Sequence, residues 1–327
     1  MTNKLPLLTI GVLSWNRLHY LRATLESAHR CIQYPNIQWI VLDNYSQETG
    51  LSEYLKGLTW VDELIFMQSS HVSAMNEILR RAKGDVLLMW PEDIQFVVEG
   101  DWMKDCVELL MNNHWIGSMG LNFQRRLTIE RVWKYQPIRS RIKETWDEIK
   151  HYGTGYRFPK KISSTSGFQI QTYGRKEDGI IGSGIASLTR TDLWRELGPW
   201  KRNENDQNIV DSSGGGETEM LNRWKKTRIP LQRAIPILPV SADIITDSLG
   251  TKAKVRGNKR YGEYASPVDG DYYYRIRRQQ DVEYLLRRDI PVSFEEFVEP
   301  VGYNLPLDEQ GNLIKSGLNV SIVSPIV

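Results

Sequence analysis

The chain has 327 residues, 42 of them basic and 40 acidic, for a formal net charge of +2. Near-neutrality argues against non-specific nucleic-acid binding, which needs a surplus of phosphate-neutralising cations. The length is one large domain or two ordinary ones, enough to bury roughly three quarters of the unfolded surface without a staple. The two cysteines, Cys31 and Cys106, lie far apart in helix-like segments, which argues against a disulfide scaffold or a thiolate metal site.

Eleven Trp and 15 Tyr stand against only 7 Phe. Rings with one polar edge suit surfaces that meet polar ligands on an apolar face, sugars among them, but they also serve as ordinary core and rim aromatics. The composition leaves both open. The apolar run Leu7–Leu13 is too short for a secretion signal, and no run approaches the 18 apolar residues of a membrane span. The expectation is a soluble, cytoplasmic protein.

Strand and helix signals alternate through the first half. Leu7–Leu13 is rich in branched residues and reads as a buried strand. Asn16 can cap a following helix on which Leu18, Leu21, Leu25, Ala28 and Ile32 recur at spacings of three and four. Ile37–Leu42 is a second strand, ending at Asp43-Asn44. A helix at 51–57, a strand at 63–67 and a helix at 73–82 follow. Val86–Trp90 is a strand ending at Pro91-Glu92-Asp93, and 101–113 is a helix. This alternation predicts a mostly parallel sheet with right-handed crossovers. Ligands in such sheets bind beyond the carboxyl ends of the strands, so Ser14 to Asn16, Asp43-Asn44 and Glu92-Asp93 are expected to share one crevice.

Residues 123–180 are basic and aromatic without clear periodicity, and read as an inserted lobe of loops and short elements. A strand from Gly182 to Leu188 leads into a helix at 191–197, stopped by Gly198-Pro199. A helix at 217–226, a last strand at 235–240, a basic loop at 250–264 and a helix at 272–288 complete the chain. No glycine cluster follows the first strand, where Ser14-Trp15-Asn16-Arg17 stands, and no Gly-Lys-Ser/Thr loop is present. A dinucleotide or phosphate-loop site is therefore not expected. A sugar nucleotidyltransferase would also want a glycine-rich basic signature there.

Several of these segments, in this order, resemble the family 2 glycosyltransferases of the GT-A fold. The similar stretches are Leu8-Thr-Ile-Gly-Val-Leu-Ser-Trp-Asn-Arg17, Tyr34-Pro-Asn-Ile37, Ile40-Val-Leu-Asp-Asn-Tyr-Ser46, and Asn76 followed by Ala82-Lys-Gly-Asp85. Gly182 to Arg190 with Leu197-Gly198, and Glu217 to Arg223, continue the likeness to about residue 230. The resemblance implies an α/β nucleotide-sugar-binding fold with a central, mostly parallel sheet flanked by helices. It implies a GT-A domain over 1–265, with a nucleotide-binding half at 1–122, the lobe at 123–180 and an acceptor and catalytic half at 181–265. A C-terminal helical extension would occupy 266–327.

The implied activity is hexosyl transfer from a nucleotide-sugar, a UDP-sugar in the first instance, to a hydroxyl of a glycan or glycolipid, with inversion and a divalent metal. By position, Ser14, Trp15 and Asn16 would border the base, Asp43 would accept from base or ribose, and Asn76 would face the donor. Asp43 also suits a plain Asx turn. The family's metal motif departs here, because Pro91 stands at the first aspartate position. Asp93 is then the expected ligand of Mn²⁺ or Mg²⁺, and Glu92 a substitute carboxylate or ribose contact. No histidine follows His151, so Asp243 or, by preference, Asp247 would supply the late ligand.

The catalytic base implied near the start of the late acidic helix is Glu217 or Glu219. Glu219 stands four residues before Arg223, a spacing suited to a plain ion pair, while a helix N-terminus would make Glu217 a weaker base. Glu217 is preferred. Arg256, Lys259 and Arg260, in a loop with five cations in nine residues, would clamp the diphosphate. Trp194 and Trp200 are candidates for stacking on sugars. The basic lobe, from Arg125 to Lys143, could meet an anionic acceptor, and the arginine-rich segment 272–288 is compatible with contact at a membrane surface. Loss of the first aspartate also permits a GT-A-fold subunit that binds without transferring.

Overall fold

A computed structural model describes residues 5–15, 18–92, 94–96, 98–121, 138–173, 186–201, 219–220, 223–224, 226, 231–238, 240–243 and 301–302. Asn16, Asp93, Glu217, Asp247, Arg256, Lys259, Arg260 and the segment 272–288 lie outside the described residues.

In the first half the expected alternation holds. Strands β1 (Leu8–Ser14), β2 (Ile37–Asp43), β3 (Glu63–Phe66) and β4 (Val86–Pro91) alternate with helices α1 (Leu18–Cys31), α2 (Leu51–Lys56) and α3 (His71–Arg81). The short strands β5 (Ile94–Phe96) and β6 (Val98–Glu99) lead to α4 (Trp102–Asn112) and β7 (Ile116–Gly120). Then come α5 (Ile138–Tyr152), β8 (Lys161–Ser163), β9 (Gln169–Tyr173), β10 (Ser187–Arg190), α6 (Thr191–Leu197), β11 (Gln232–Pro236), β12 (Ser241–Asp243) and β13 (Val301–Gly302).

Nine strands form one sheet in the order β3-β2-β1-β4-β10-β7-β11-β9-β8. The first four are parallel, β10 is antiparallel to both its neighbours, and β11 runs parallel to β7. The period-two alternation of each strand sorts its side chains between two cores. Leu8, Ile10, Val12, Val41, Leu88 and Trp90 join α1, α2 and α4 on one face. Leu13, Ile40, Leu42, Leu87 and Met89 join α3 and α6 on the other. The result is a helix–sheet–helix sandwich. Gly11 lets α3 press close to the sheet, since a Cβ there would lie 2.4 Å from Cγ2 of Ile78.

Several sequence expectations change here. Within 123–180, expected to hold loops and short elements, α5 is a longer helix of 15 residues, and the short strands β8 and β9 extend the main sheet. The last strand of the main sheet is Gln232–Pro236, three residues before the expected start, and a separate strand follows at Ser241–Asp243. Val301–Gly302, within the segment expected to be a helical extension, pairs in parallel with β6. Cys31 and Cys106 are buried and in no disulfide. Among the described residues no helix is long and apolar enough to cross a membrane.

A buried polar chain locks the amino ends of β1, β2 and β4. Gln38 Oε1 accepts from Thr9 Oγ1 at 2.7 Å and from the Lys83 N–H at 2.8 Å, and Thr9 Oγ1 accepts from the Gly84 N–H at 2.9 Å. Beside it, Glu63 accepts from Gln38, Arg81 and Lys83. Arg81 also donates to Glu77, which Arg80 grips with two hydrogen bonds. The Arg80 guanidinium holds the Glu77 carboxyl down at about 2, against a usual 4.5. A depressed carboxyl stabilises the fold above its unfolded pKa and loses that contribution as pH falls through the folded one. Between pH 4.5 and about 2, acid should therefore cost the parent chain more stability than it costs Glu77→Gln. Urea melts at stepped pH would check this, and equal losses would refute it.

Candidate functional site

The carboxyl edge of the parallel strands gathers the first set of predicted residues. Register places Ser14 beside Asp43 and Leu13 beside Pro91, so the ends of β1, β2 and β4 lie side by side. Ser14, Asp43 and Glu92 are each only 2% exposed. Ser14 Oγ is buried without a hydrogen-bond partner among the described residues. An unmet hydroxyl at a strand end costs free energy until something bonds it, which suits a ligand-facing position.

Asp43 makes an Asx-type turn. Its Oδ2 accepts from the Ser46 N–H at 2.9 Å and its Oδ1 from the Ser46 hydroxyl at 2.5 Å. Each carboxylate oxygen keeps further lone-pair capacity, so the turn and a ligand contact are compatible. The next residue is clamped in turn: the Asn44 N–H donates to the Ser14 carbonyl at 2.8 Å, and Asn44 Oδ1 accepts from the Ser69 N–H at 2.7 Å. At the far end of the loop, Glu48 Oε2 accepts from the Leu18 N–H at 2.9 Å, satisfying a free donor at the start of α1.

Between these anchors stands Tyr45, which sequence reasoning missed. It is the only non-glycine residue at positive φ among those described, at φ 56°, and its side chain is 58% exposed. For an L-residue with a bulky side chain the left-handed conformation costs about 1–2 kcal/mol. The flanking clamps on Asp43, Asn44 and Glu48 hold it there. The Asp43-Asn44-Tyr45-Ser46 run reads as a turn, but only the backbone angle shows that the tyrosine takes the position glycine would favour.

Glu92 is buried between β4 and β5, and β5 pairs antiparallel with β12 so that Asp243 lies opposite Ile94. This brings the backbone of Asp243 to the strand that follows the β4–β5 turn. Among the described residues, however, no group of three or more His, Cys, Asp or Glu is arranged to hold a metal ion. The described residues do not make a metal site by themselves.

Asn76 has a different neighbour from the one expected. Its Oδ1 accepts from the Trp200 N–H at 2.8 Å and its Nδ2 donates to the Trp200 carbonyl at 2.9 Å, tying α3 to the chain after α6. Trp194 and Trp200 are each 2% exposed, with ring centroids 4.5 Å apart. Both are core residues rather than open sugar platforms. Trp15 is half-buried at the end of β1. Glu219 makes the ion pair its spacing suggested, at 2.7 Å from Arg223. The same guanidinium donates to the carbonyls of Leu197 and Pro199. Glu219 thus sits in a bracket that fixes its own helical turn, through Arg223, against the end of α6.

The Glycosyl transferase family 2 signature matches residues 9–170, just under half of the chain. No curated protein matches the chain. Among solved structures, it is similar to the mannosyltransferase PcManGT from Pyrobaculum calidifontis, in complex with GDP-Man and Mn²⁺. Identity there is 14% and the TM-score 0.47, covering 82% of this chain and 65% of that one. It is also similar to the TarS fragment 1–349 from S. aureus, at 11% identity and a TM-score of 0.42, covering 70% and 57%. The same fragment in complex with UDP-GlcNAc gives 12% and 0.38, covering 63% and 53%. The chain spans less than two thirds of the length of each. The segment that matches the glycosyl transferase family 2 model thus carries the strands β1 to β7 and the carboxyl edge on which Ser14, Asp43 and Glu92 lie.

Proposed function

We propose that the chain binds a nucleotide-sugar at the carboxyl edge of β1, β2 and β4 and transfers the sugar to a hydroxyl acceptor with inversion. The observation that carries this reading is the register that sets Ser14 beside Asp43 and Leu13 beside Pro91, within the matched family segment. Ser14, Trp15, Asn16 and Asp43 border the base and ribose in this reading. A buried carboxylate at a strand end is a strong acceptor for an imide N–H or ribose hydroxyls. Tyr45, exposed at the rim, adds a ring face for the base. Asn76 acts at one remove, by holding the Trp200 backbone.

In the transfer, Glu217 removes the proton of the acceptor hydroxyl while its oxygen attacks the anomeric carbon and the bond to the diphosphate breaks. Glu219, occupied by Arg223, positions the chain that follows Glu217. Arg256, Lys259 and Arg260 offset the charge on the departing diphosphate. The donor nucleotide we favour is UDP. Asp93 and Asp247, with Glu92 nearby, are the carboxylates proposed for Mn²⁺ or Mg²⁺. Oxygen ligands of this kind suit those ions.

Titration calorimetry with UDP, GDP and their sugars, with and without Mn²⁺, tests the donor site, with donor hydrolysis followed in parallel. Nucleotide binding strengthened by Mn²⁺ is the expected result, and no binding of any nucleotide would overturn the reading. Asp93→Ala should lose the Mn²⁺ enhancement, and a variant that keeps it would exclude Asp93 as a ligand. Pro91 in the metal motif favours a second reading, a subunit that binds donor without transfer. Tight binding with no turnover would select it.

Tyr45→Gly separates strain from binding. Relief of the left-handed tyrosine, less the entropy glycine gains on unfolding, should raise stability by about 0.5–1 kcal/mol. Loss of a ring worth about 1–3 kcal/mol to a stacked base should weaken nucleotide binding at least about fivefold. A variant that gains stability with unchanged affinity would remove Tyr45 from the site.

A further inference from the structure

Helix α5 turns its apolar side outward. Ile138, Ile142 and Trp146 are 66, 55 and 57% exposed, and their spacing of four places them in one stripe along the helix. On an ordinary surface helix such a stripe faces the core. Here the inward side carries instead the half-buried Glu144 and Glu148 and the buried Tyr152. Six residues after Tyr152, Phe158 is 66% exposed.

The charge pattern around this stripe is one-sided. From residue 138 to 161 the exposed cations are Arg139, Lys143, Lys150, Arg157, Lys160 and Lys161, and the only exposed acid is Asp147. Four of the six cations are lysines, a residue depleted from protein–protein interfaces. Lysine and arginine at a bilayer keep their stems along apolar surface and their heads among the phosphates. Tryptophan favours the same depth.

We propose that α5 and the segment that follows it, through Lys161, dock on an anionic lipid surface, with Ile138, Ile142 and Trp146 in the headgroup boundary and the cations on lipid phosphates. An apolar stripe supplies the insertion and the cations supply the selectivity for anionic lipid, the pairing that holds interfacial helices. None of these residues is among those proposed to hold the donor, and binding of the surface requires neither nucleotide nor turnover.

The test is co-sedimentation of the full chain with vesicles of phosphatidylcholine, alone or mixed with phosphatidylglycerol. The mixed vesicles should take up the chain at least about tenfold better, and added salt should reverse the gain. Ile142→Ser combined with Trp146→Ser should lose at least about tenfold of that uptake with an unchanged thermal melt. Lys143→Glu combined with Lys150→Glu should abolish the preference for phosphatidylglycerol. Equal uptake by both vesicles, or variants that bind like the parent, would overturn the proposal. So would sedimentation velocity showing a parent dimer that the serine variant converts to monomer, which would assign the stripe to a second copy of this chain. Failure of nucleotide binding or of transfer leaves these outcomes unchanged, so the two readings fail separately.

Discussion

Glu217→Gln should bind nucleotide-sugar as tightly as the parent chain and transfer the sugar at least about 10²-fold more slowly. The amide keeps the size and hydrogen-bonding reach of the carboxylate but cannot take the acceptor proton. Donor affinity, which in our reading rests on the opposite side of the reacting centre, stays as it was. Glu219→Gln serves as the control. Its carboxylate grips Arg223, which also bonds the carbonyls of Leu197 and Pro199, so its loss should loosen the end of α6 and lower thermal stability. Calorimetry for binding and single-turnover assays for transfer distinguish the two. If Glu219→Gln were the dead variant with an unchanged melt, the base would be Glu219 and the assignment two residues out of register.

Gly84→Ala should destabilise the chain by about 3 kcal/mol or more, among the largest effects expected of any single methyl group here. A Cβ at this position would lie 2.6 Å from the Leu7 carbonyl oxygen and 2.6 Å from the Thr9 nitrogen. Both are backbone atoms of the chain entering β1, and β1 is paired on both sides, so neither can withdraw cheaply. The Gly84 N–H also donates to Thr9 Oγ1, so a shift away from the clash would break the chain running to Gln38. At about 2–4 °C per kcal/mol for a chain of this scale, the melt should fall by roughly 6 °C or more. Gly117→Ala is an informative comparison. There the obstacle is the Trp224 ring, 2.3 Å from the added carbon, and a side chain can move where a sheet backbone cannot. A loss at Gly84 no greater than at Gly117 would show that the β1 edge yields more readily than its pairing implies.

The half of the fold that could be read from sequence is the half whose elements announce themselves locally. Leu8–Ser14, Ile37–Asp43 and Val86–Pro91 are buried parallel strands and carry unbroken apolar runs. The strand Ile116–Gly120, sequence IGSMG, was not visible, because two glycines and a serine carry little strand signal and its burial comes from lying between β10 and β11. β9, QIQTY, pairs on one side with β11, about 60 residues away, and on the other with only the three residues of β8, which left its hairpin without a clear local pattern. Helix α5 did carry a spacing of four in Ile138, Ile142 and Trp146, but its basic residues obscured it.

The site divides in the same way. Strand ends follow from strand positions, so the meeting of Ser14, Asp43 and Glu92 at one edge was legible. The bidentate hold of Asn76 on Trp200 spans 124 residues and had no local trace. The burial of Trp194 and Trp200 was equally out of reach, since composition does not say which tryptophans face inward. Tyr45 lay in plain view as a turn residue, yet its backbone angle depends on clamps from Ser69 and Leu18, distant in sequence.

The polar chain of Thr9, Gln38 and Gly84 fastens the sheet at its amino edge, opposite the end where Ser14 and Asp43 lie. In the proposed reading, rigidity and recognition fall at different ends of the same strands. Residues 45–47 could be exchanged for a segment of another specificity, provided the two anchors, Asn44 on Ser69 and Glu48 on Leu18, were kept. The frame would behave as a socket, indifferent to the tool it holds.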